Sequence, residues 1–173
     1  MLGVRFVDGT GTAVRNGGRV MKNVTGYDLV KLMCGSYGTL GVLSEIAFKV
    51  LPAPEREITL VLEGLDDARA VAALSAALGA PFDVTGAAHL PADGAHPART
   101  AIRVEGMAEQ ADYRAGAVAD RLHAFGTPGR LEGDAHAALW RDIGEVRRFA
   151  DRAGAVWRLS VRPSDGPAAH AAL

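Results

Sequence analysis

Residues 18–52 read GRVMKNVTGYDLVKLMCGSYGTLGVLSEIAFKVLP, and the fold turns on this stretch. Asp28-Leu29-Val30-Lys31-Leu32-Met33 makes one or two helical turns, with Asp28 placed to cap the first orphan N–H groups. Gly35-Ser36-Tyr37-Gly38-Thr39-Leu40-Gly41 follows as a loop in which glycine removes Cβ atoms and permits positive φ. Residues 42–51 alternate only roughly between apolar and polar, which fits a strand buried on both faces better than a half-exposed one. Backbone can approach a ligand at two places here. One is Asn23-Val24-Thr25-Gly26-Tyr27-Asp28, ahead of the helix, where the dipole favours an anion. The other is the 35–41 loop, whose successive N–H groups can form a concavity for a phosphate. Glycine-rich turns are mostly only turns, however. The spacing is not G-x-G-x-x-G before a helix, and Gly41 is followed by Val42 rather than lysine, so neither common nucleotide fingerprint is present.

Working outward, residues 4–7 read as a strand and Asp8-Gly9-Thr10-Gly11 as a hairpin turn, with 12–14 as the return strand. Asn16-Gly17-Gly18 breaks the chain again. On the other side, Pro52-Ala53-Pro54 cannot continue a central strand and reads as a linker or strand end. Composition changes there: all three lysines precede it, and residues 66–173 are rich in alanine and arginine. Two domains are therefore expected, 1–54 and 55–173. The second reads as strand 58–62, helix 66–78 closed by Gly79 as a left-handed C′ residue, strand 82–90, loop 91–97 and strand 100–105. Helix 108–125, stopped by Gly126 and Pro128, follows. A strand starting at Leu131, a helix over 134–150 and a strand over 156–161 complete it. The order β-α-β-β-α-β, then α-β, predicts a ferredoxin-like module with an extension. The fold class is α+β.

The net charge of −1 argues against nucleic acid, which needs a basic face. The single cysteine, Cys34, excludes an internal disulfide, suits a reducing cytoplasm and is expected as a buried structural thiol. No apolar run is long enough to span a bilayer, and the N-terminus has no signal-peptide pattern. Asn23-Val24-Thr25 matches a glycosylation triplet, which carries no weight in a cytoplasmic chain. His89, His96, His123, His136 and His170 lack metal-ligand spacing and are expected mostly near loops or on exposed helix faces. Trp140 and Trp157 read as core or surface residues. Arg158, on the expected strand 156–161, could hold a substrate carboxylate bidentately.

The run from Lys22 to Leu29 (KNVTGYDL), followed by the run from Gly35 to Glu45 (GSYGTLGVLSE), resembles the vanillyl-alcohol-oxidase-type (PCMH-type) FAD-linked oxidases. Their FAD domain carries N-x-x-G-Y-D-L and G-S-x-G-T-L-G-x-x-x-E late in its sequence. The flanks GGRVMKNVTGYD, VLPAP and WRLSV look most like the FAD-binding E-subunit family of glycolate oxidases. The resemblance is strong over residues 17–54 and weaker to about residue 163. It implies the second half of a PCMH-type FAD-binding domain followed by a ferredoxin-like cap domain. It implies FAD as cofactor, with Gly38, Thr39, Gly41 and Val42 along the nucleotide and Asn23, Thr25, Gly26, Tyr27 and Asp28 shaping the groove. Asp28 has a rival role as helix cap, and Tyr27 as a core residue.

The resemblance also implies an FAD-dependent oxidoreductase subunit acting on a small 2-hydroxy acid such as glycolate. Its companions would be a second FAD subunit and an iron–sulfur subunit, peripheral to the inner membrane through the complex. The catalytic base is not identified by any residue pattern. The family's P-G-G-x-G-T pyrophosphate loop has no counterpart in the chain, and the family continues with further cap strands beyond residue 173. A chain truncated at both ends, or a degenerate remnant, is thus expected, with weak or absent FAD binding alone and homo-oligomerisation that hides an exposed face. The competing readings are a fragment of a single-chain oxidase, for example of D-lactate, and a non-enzymatic ferredoxin-like interaction module.

Overall fold

The computed structural model describes residues 1–22, 26–94, 96–150 and 153–172. The chain forms two compact units, Met1–Pro52 and Ala53–Leu173.

The first unit contains β1 (Gly3–Val7), β2 (Ala13–Gly17), the short helix α1 (Leu29–Met33) and β3 (Val42–Ala47). Both strand pairs are antiparallel, and the sheet order is β2-β1-β3. Asp8 closes the first hairpin as the sequence predicts. Its Oδ1 accepts the N–H groups of Thr10 at 2.8 Å and Thr12 at 3.0 Å. The Thr10 hydroxyl, which also donates to it, is the main reason its carboxyl lies below the usual range. The core of this unit is small: Val4 and Phe6 from β1, Val30 and Met33 from α1.

Three expectations fail in this unit. Residue 16 does not break the chain but lies inside β2, which runs on to Gly17. The predicted strand 42–51 stops at Ala47, and it is exposed along most of its length rather than doubly buried. It pairs with β1 alone at the sheet edge, and no described helix of this unit packs on it. Cys34 is exposed rather than buried, because five-residue α1 turns Val30 and Met33 inward and ends before Cys34.

The second unit is α+β. It runs β4 (Arg56–Glu63), α2 (Asp67–Leu78), β5 (Gly86–Leu90), β6 (Arg99–Gly106), α3 (Ala108–Leu122), β7 (Gly129–Leu131), α4 (Gly133–Gly144) and α5 (Gly166–Ala171). The four strands pair antiparallel in the order β5-β6-β4-β7, the ferredoxin-like arrangement that the element order predicts. Side-chain alternation explains the layers. Leu60 and Leu62 of β4, with Ile102 and Val104 of β6, pack against α2 and α3. Alanines 70, 73 and 77 and residues Ala111, Ala115, Val118 and Leu122 give those helices their apolar stripes. Asp66 caps α2 by accepting the Arg69 N–H at 2.8 Å. The cap of α3 is remote in sequence: Glu55 accepts the Ala108 N–H at 3.0 Å.

Helix α4 lies on the opposite face of the sheet. There Thr59, fully buried, accepts the Trp140 indole N–H at 2.7 Å and meets His136 Nδ1 at 2.8 Å. His136 is therefore 3% exposed, unlike the exposed positions expected for most of the histidines. Gly79 ends α2 in the right-handed region (φ −78°) and is not the left-handed residue expected. The expected helix 134–150 ends at Gly144, and a 3₁₀ turn covers Arg147–Phe149. No strand forms over 156–161. Val156, Trp157, Leu159 and Val161 are exposed in irregular backbone, because strand propensity without a neighbouring strand fixes nothing.

Candidate functional site

Of the nine cofactor-binding candidates, Asn23 and Thr25 lie outside the described residues. The other seven fall in two groups, both in the first unit. Gly26, Tyr27 and Asp28 line a cavity of about 230 Å³ with Met1, Lys22 and Lys31. Asp28 caps α1, accepting the Lys31 N–H at 3.1 Å while its other oxygen meets Lys31 Nζ at 3.1 Å. These contacts hold its carboxyl below the usual range, the Lys31 backbone N–H contributing most. Tyr27 is exposed, so a core role is excluded. The entry to α1 is set by Asn16, which sequence reasoning passed over. Its amide N–H donates to the Tyr27 carbonyl at 3.1 Å, and its Oδ1 accepts the Leu29 N–H at 3.1 Å. An asparagine that stands in for missing backbone partners at a helix start is a recurrent signal, but here the donor comes from a strand.

Gly38, Thr39, Gly41 and Val42 form the second group, between α1 and β3. The loop stands out from the core: Tyr37 is 95% exposed and Val42 72% exposed. Tyr37 adopts φ +53°, which is uncommon for a residue with a side chain, and Gly38 adopts φ +78° with open space where its Cβ would be. The peptide groups here are accessible to an external molecule. Thr39 spends its hydroxyl locally, donating to the Ser36 carbonyl at 2.6 Å. Gly41 meets a different demand, since a Cβ there would press on β1. Arg158 is exposed in irregular backbone rather than on a strand. Among the described residues no cluster of three His, Cys, Asp or Glu side chains could hold a metal ion. Among the described residues, too, no helix is long and apolar enough to cross a membrane.

No protein-family model matches the chain. Glycolate oxidase subunit GlcE of Escherichia coli is 58% identical over 60 residues, covering 35% of this chain and 17% of the relative. Glycolate oxidase subunit GlcD of Bacillus subtilis is 43% identical over 61 residues, covering 35% of this chain and 13% of the relative. Over about a third of its length the chain is similar to glycolate oxidase subunits. Its fold is that of part of an alkyldihydroxyacetonephosphate synthase structure. That match has a TM-score of 0.59 at 21% identity and covers 85% of this chain and 32% of the other. The chain thus spans less than a fifth of the length of the curated relatives named here.

Proposed function

We propose that this chain forms part of the FAD-binding subunit of an oxidoreductase that acts on a small 2-hydroxy acid such as glycolate, in a complex with a second flavin subunit and an iron–sulfur subunit. The Met1–Pro52 unit is then the later part of the FAD-binding domain and the Ala53–Leu173 unit a cap over the substrate. The observation that carries the reading is the exposed loop 37–42, whose accessible backbone leads into an unshared sheet edge. That geometry fits a nucleotide lying against peptide groups. Gly38, Thr39, Gly41 and Val42 would hold it through the main chain, since the Thr39 hydroxyl already donates elsewhere. Gly26, Tyr27 and Asp28, with Asn23 and Thr25, would shape the adjoining groove. The family likeness to glycolate oxidase subunits supports the substrate class.

FAD, when bound, would supply the acceptor for the hydride of the 2-hydroxy acid. The residues of this chain would orient it. The Asn16 amide fixes the Tyr27–Leu29 backbone, and Asp28 fixes the first turn of α1. Both devices hold the groove wall in one conformation before any ligand arrives, which lowers the ordering cost of binding.

The test is to express the gene in its genomic context, purify the product and look for the visible flavin band after dialysis. Glycolate-dependent reduction of a dye is then measured, with D-lactate as the alternative substrate. Bound flavin with glycolate-dependent turnover is the expected result. A flavin-free product would sink the reading. Co-purification with an iron–sulfur protein distinguishes the multisubunit assignment from a single-chain oxidase.

A further inference from the structure

We propose that the cavity between α4 and the β5–β6 edge of the second unit binds a small organic carboxylate through Arg99, Arg147 and Arg148. This inference does not depend on the flavin reading, because it concerns the second unit alone and its readout involves no flavin.

The cavity measures about 300 Å³, at the lower end of small-ligand sites. Three arginines line it against two aspartates, Asp93 and Asp142. Leu90, Leu139 and Ile143 supply an apolar wall, which suits the carbon body of an organic acid better than an inorganic anion. Arg99 is the pointed feature. Its Nε is buried and makes no hydrogen bond. The nearest carboxylate, Glu63 across the sheet, is 3.4 Å away without hydrogen-bonding geometry and is itself exposed. A buried N–H that has an ion-pair neighbour but no hydrogen bond, on a permanently charged guanidinium, can still donate to a carboxylate edge. Arg99 also lines a second, larger cavity, together with Glu63 and Asp142.

The other two arginines are delivered by backbone that costs free energy. Val146, immediately before them, adopts φ +54° and ψ +37°, a left-handed conformation that a β-branched residue takes only under constraint. Arg148 donates to the Pro91 carbonyl and lies 3.6 Å from Asp93, which fixes it at the cavity wall. Arg147 pairs with Asp142 at 3.3 Å and with Glu145. These two are anchored cations, whereas Arg99 has a donor to spare. The ligand carboxylate would take the Arg99 Nε–H and one terminal N–H side-on.

The experiment titrates the full chain, labelled with ¹⁵N, with succinate at constant ionic strength, and follows the arginine Nε–Hε signals. The Arg99 signal is expected to shift saturably while that of exposed Arg158 stays still. Arg99→Ala should weaken succinate binding by roughly tenfold or more, as removal of a charged hydrogen-bond donor does. Arg99→Lys, which keeps the charge and loses the fork, should weaken it in the same direction and serves if the alanine variant does not fold. Glu63→Gln should tighten binding, because it removes the carboxylate nearest the same N–H. A merely structural Arg99 would not produce that opposite sign. Unchanged affinity in Arg99→Lys, non-saturable shifts at every arginine, or phosphate binding as tightly as succinate would overturn the proposal.

Discussion

A Cβ built on Gly41 would lie 2.6 Å from the carbonyl oxygen of Val7. The last glycine of the loop is therefore required by the approach of β3 to β1, whatever the loop holds. Gly38, three residues earlier, has open space at the same position and needs glycine only for its φ of +78°. Gly41→Ala should cost roughly 2–3 kcal/mol as an overpacking substitution, and Gly38→Ala about 1 kcal/mol as a left-handed one. Native-state hydrogen exchange of the β1 amides separates the two. If Gly41→Ala leaves that exchange unchanged, the close approach is not what fixes this residue.

Thr59 joins α4 to the sheet, and its hydroxyl is the junction of a buried chain. The Trp140 N–H can only donate, so Thr59 accepts it; with His136 protonated on Nε2, Thr59 then donates onward to Nδ1. Thr59→Val keeps the shape but strands both partners, for a loss of about 1–3 kcal/mol. Urea unfolding followed by Trp140 fluorescence, in a Trp157→Phe background, measures it. Trp157 is 83% exposed, so its removal should leave stability unchanged. Equal midpoints with and without the Thr59→Val substitution would show that α4 is held by packing alone.

Sequence patterns made β4, α2, β6 and α3 legible, whereas β5 starts only at Gly86 and the three-residue β7 ends at Leu131, where a strand was expected to start. Period two in β4 and β6, and alanine stripes in α2 and α3, leave one way to bury the apolar set. The first unit was harder. Residues 42–51 carry the apolar content of a doubly covered strand, and only the pairing pattern reveals that β3 is an edge in the described chain. Residues 156–161 have strand propensity, but propensity cannot supply a partner. Asn16 was hidden because Asn-Gly-Gly reads locally as a break, while its role is set by a helix start later in sequence. The loop 35–41 was marked by its glycine spacing, and in the structure its Tyr37 is exposed.

Asp67 at the start of α2 receives two imidazoles. His89 Nε2 lies 3.1 Å from one oxygen, and His170 Nδ1 of α5 lies 2.5 Å from the other. The hydrogen bond from His170 is the main reason its carboxyl titrates below the usual range. A carboxyl lowered on folding adds stability above its unfolded value near about pH 3.9, and that stability is lost as pH falls through the lower folded value. Asp67→Asn should therefore flatten the acid side of the stability curve below about pH 5. His170→Ala should flatten it in part and loosen α5. Urea midpoints measured from neutral to acid pH test this, and parallel curves for the wild type and Asp67→Asn would contradict it.

The edge formed by β3 should make the chain associate. Leu43 and Ile46 lie partly exposed on the strand, and Phe48, Val50 and Leu51 continue the apolar surface beyond it. Exposed strand edges with apolar flanks pair with other chains unless charge or proline blocks them. Pro52 stands beyond the strand, and Lys49 is the one lysine among residues 42–52. Sedimentation velocity should therefore show species larger than a monomer as concentration rises. Ile46→Lys combined with Phe48→Lys, which puts charge where natural edge strands carry it, should return the chain to a monomer without unfolding the second unit. A wild-type chain that stays monomeric across the whole concentration range would mean that this edge is not sticky, and the apolar character of residues 42–51 would then need another cause.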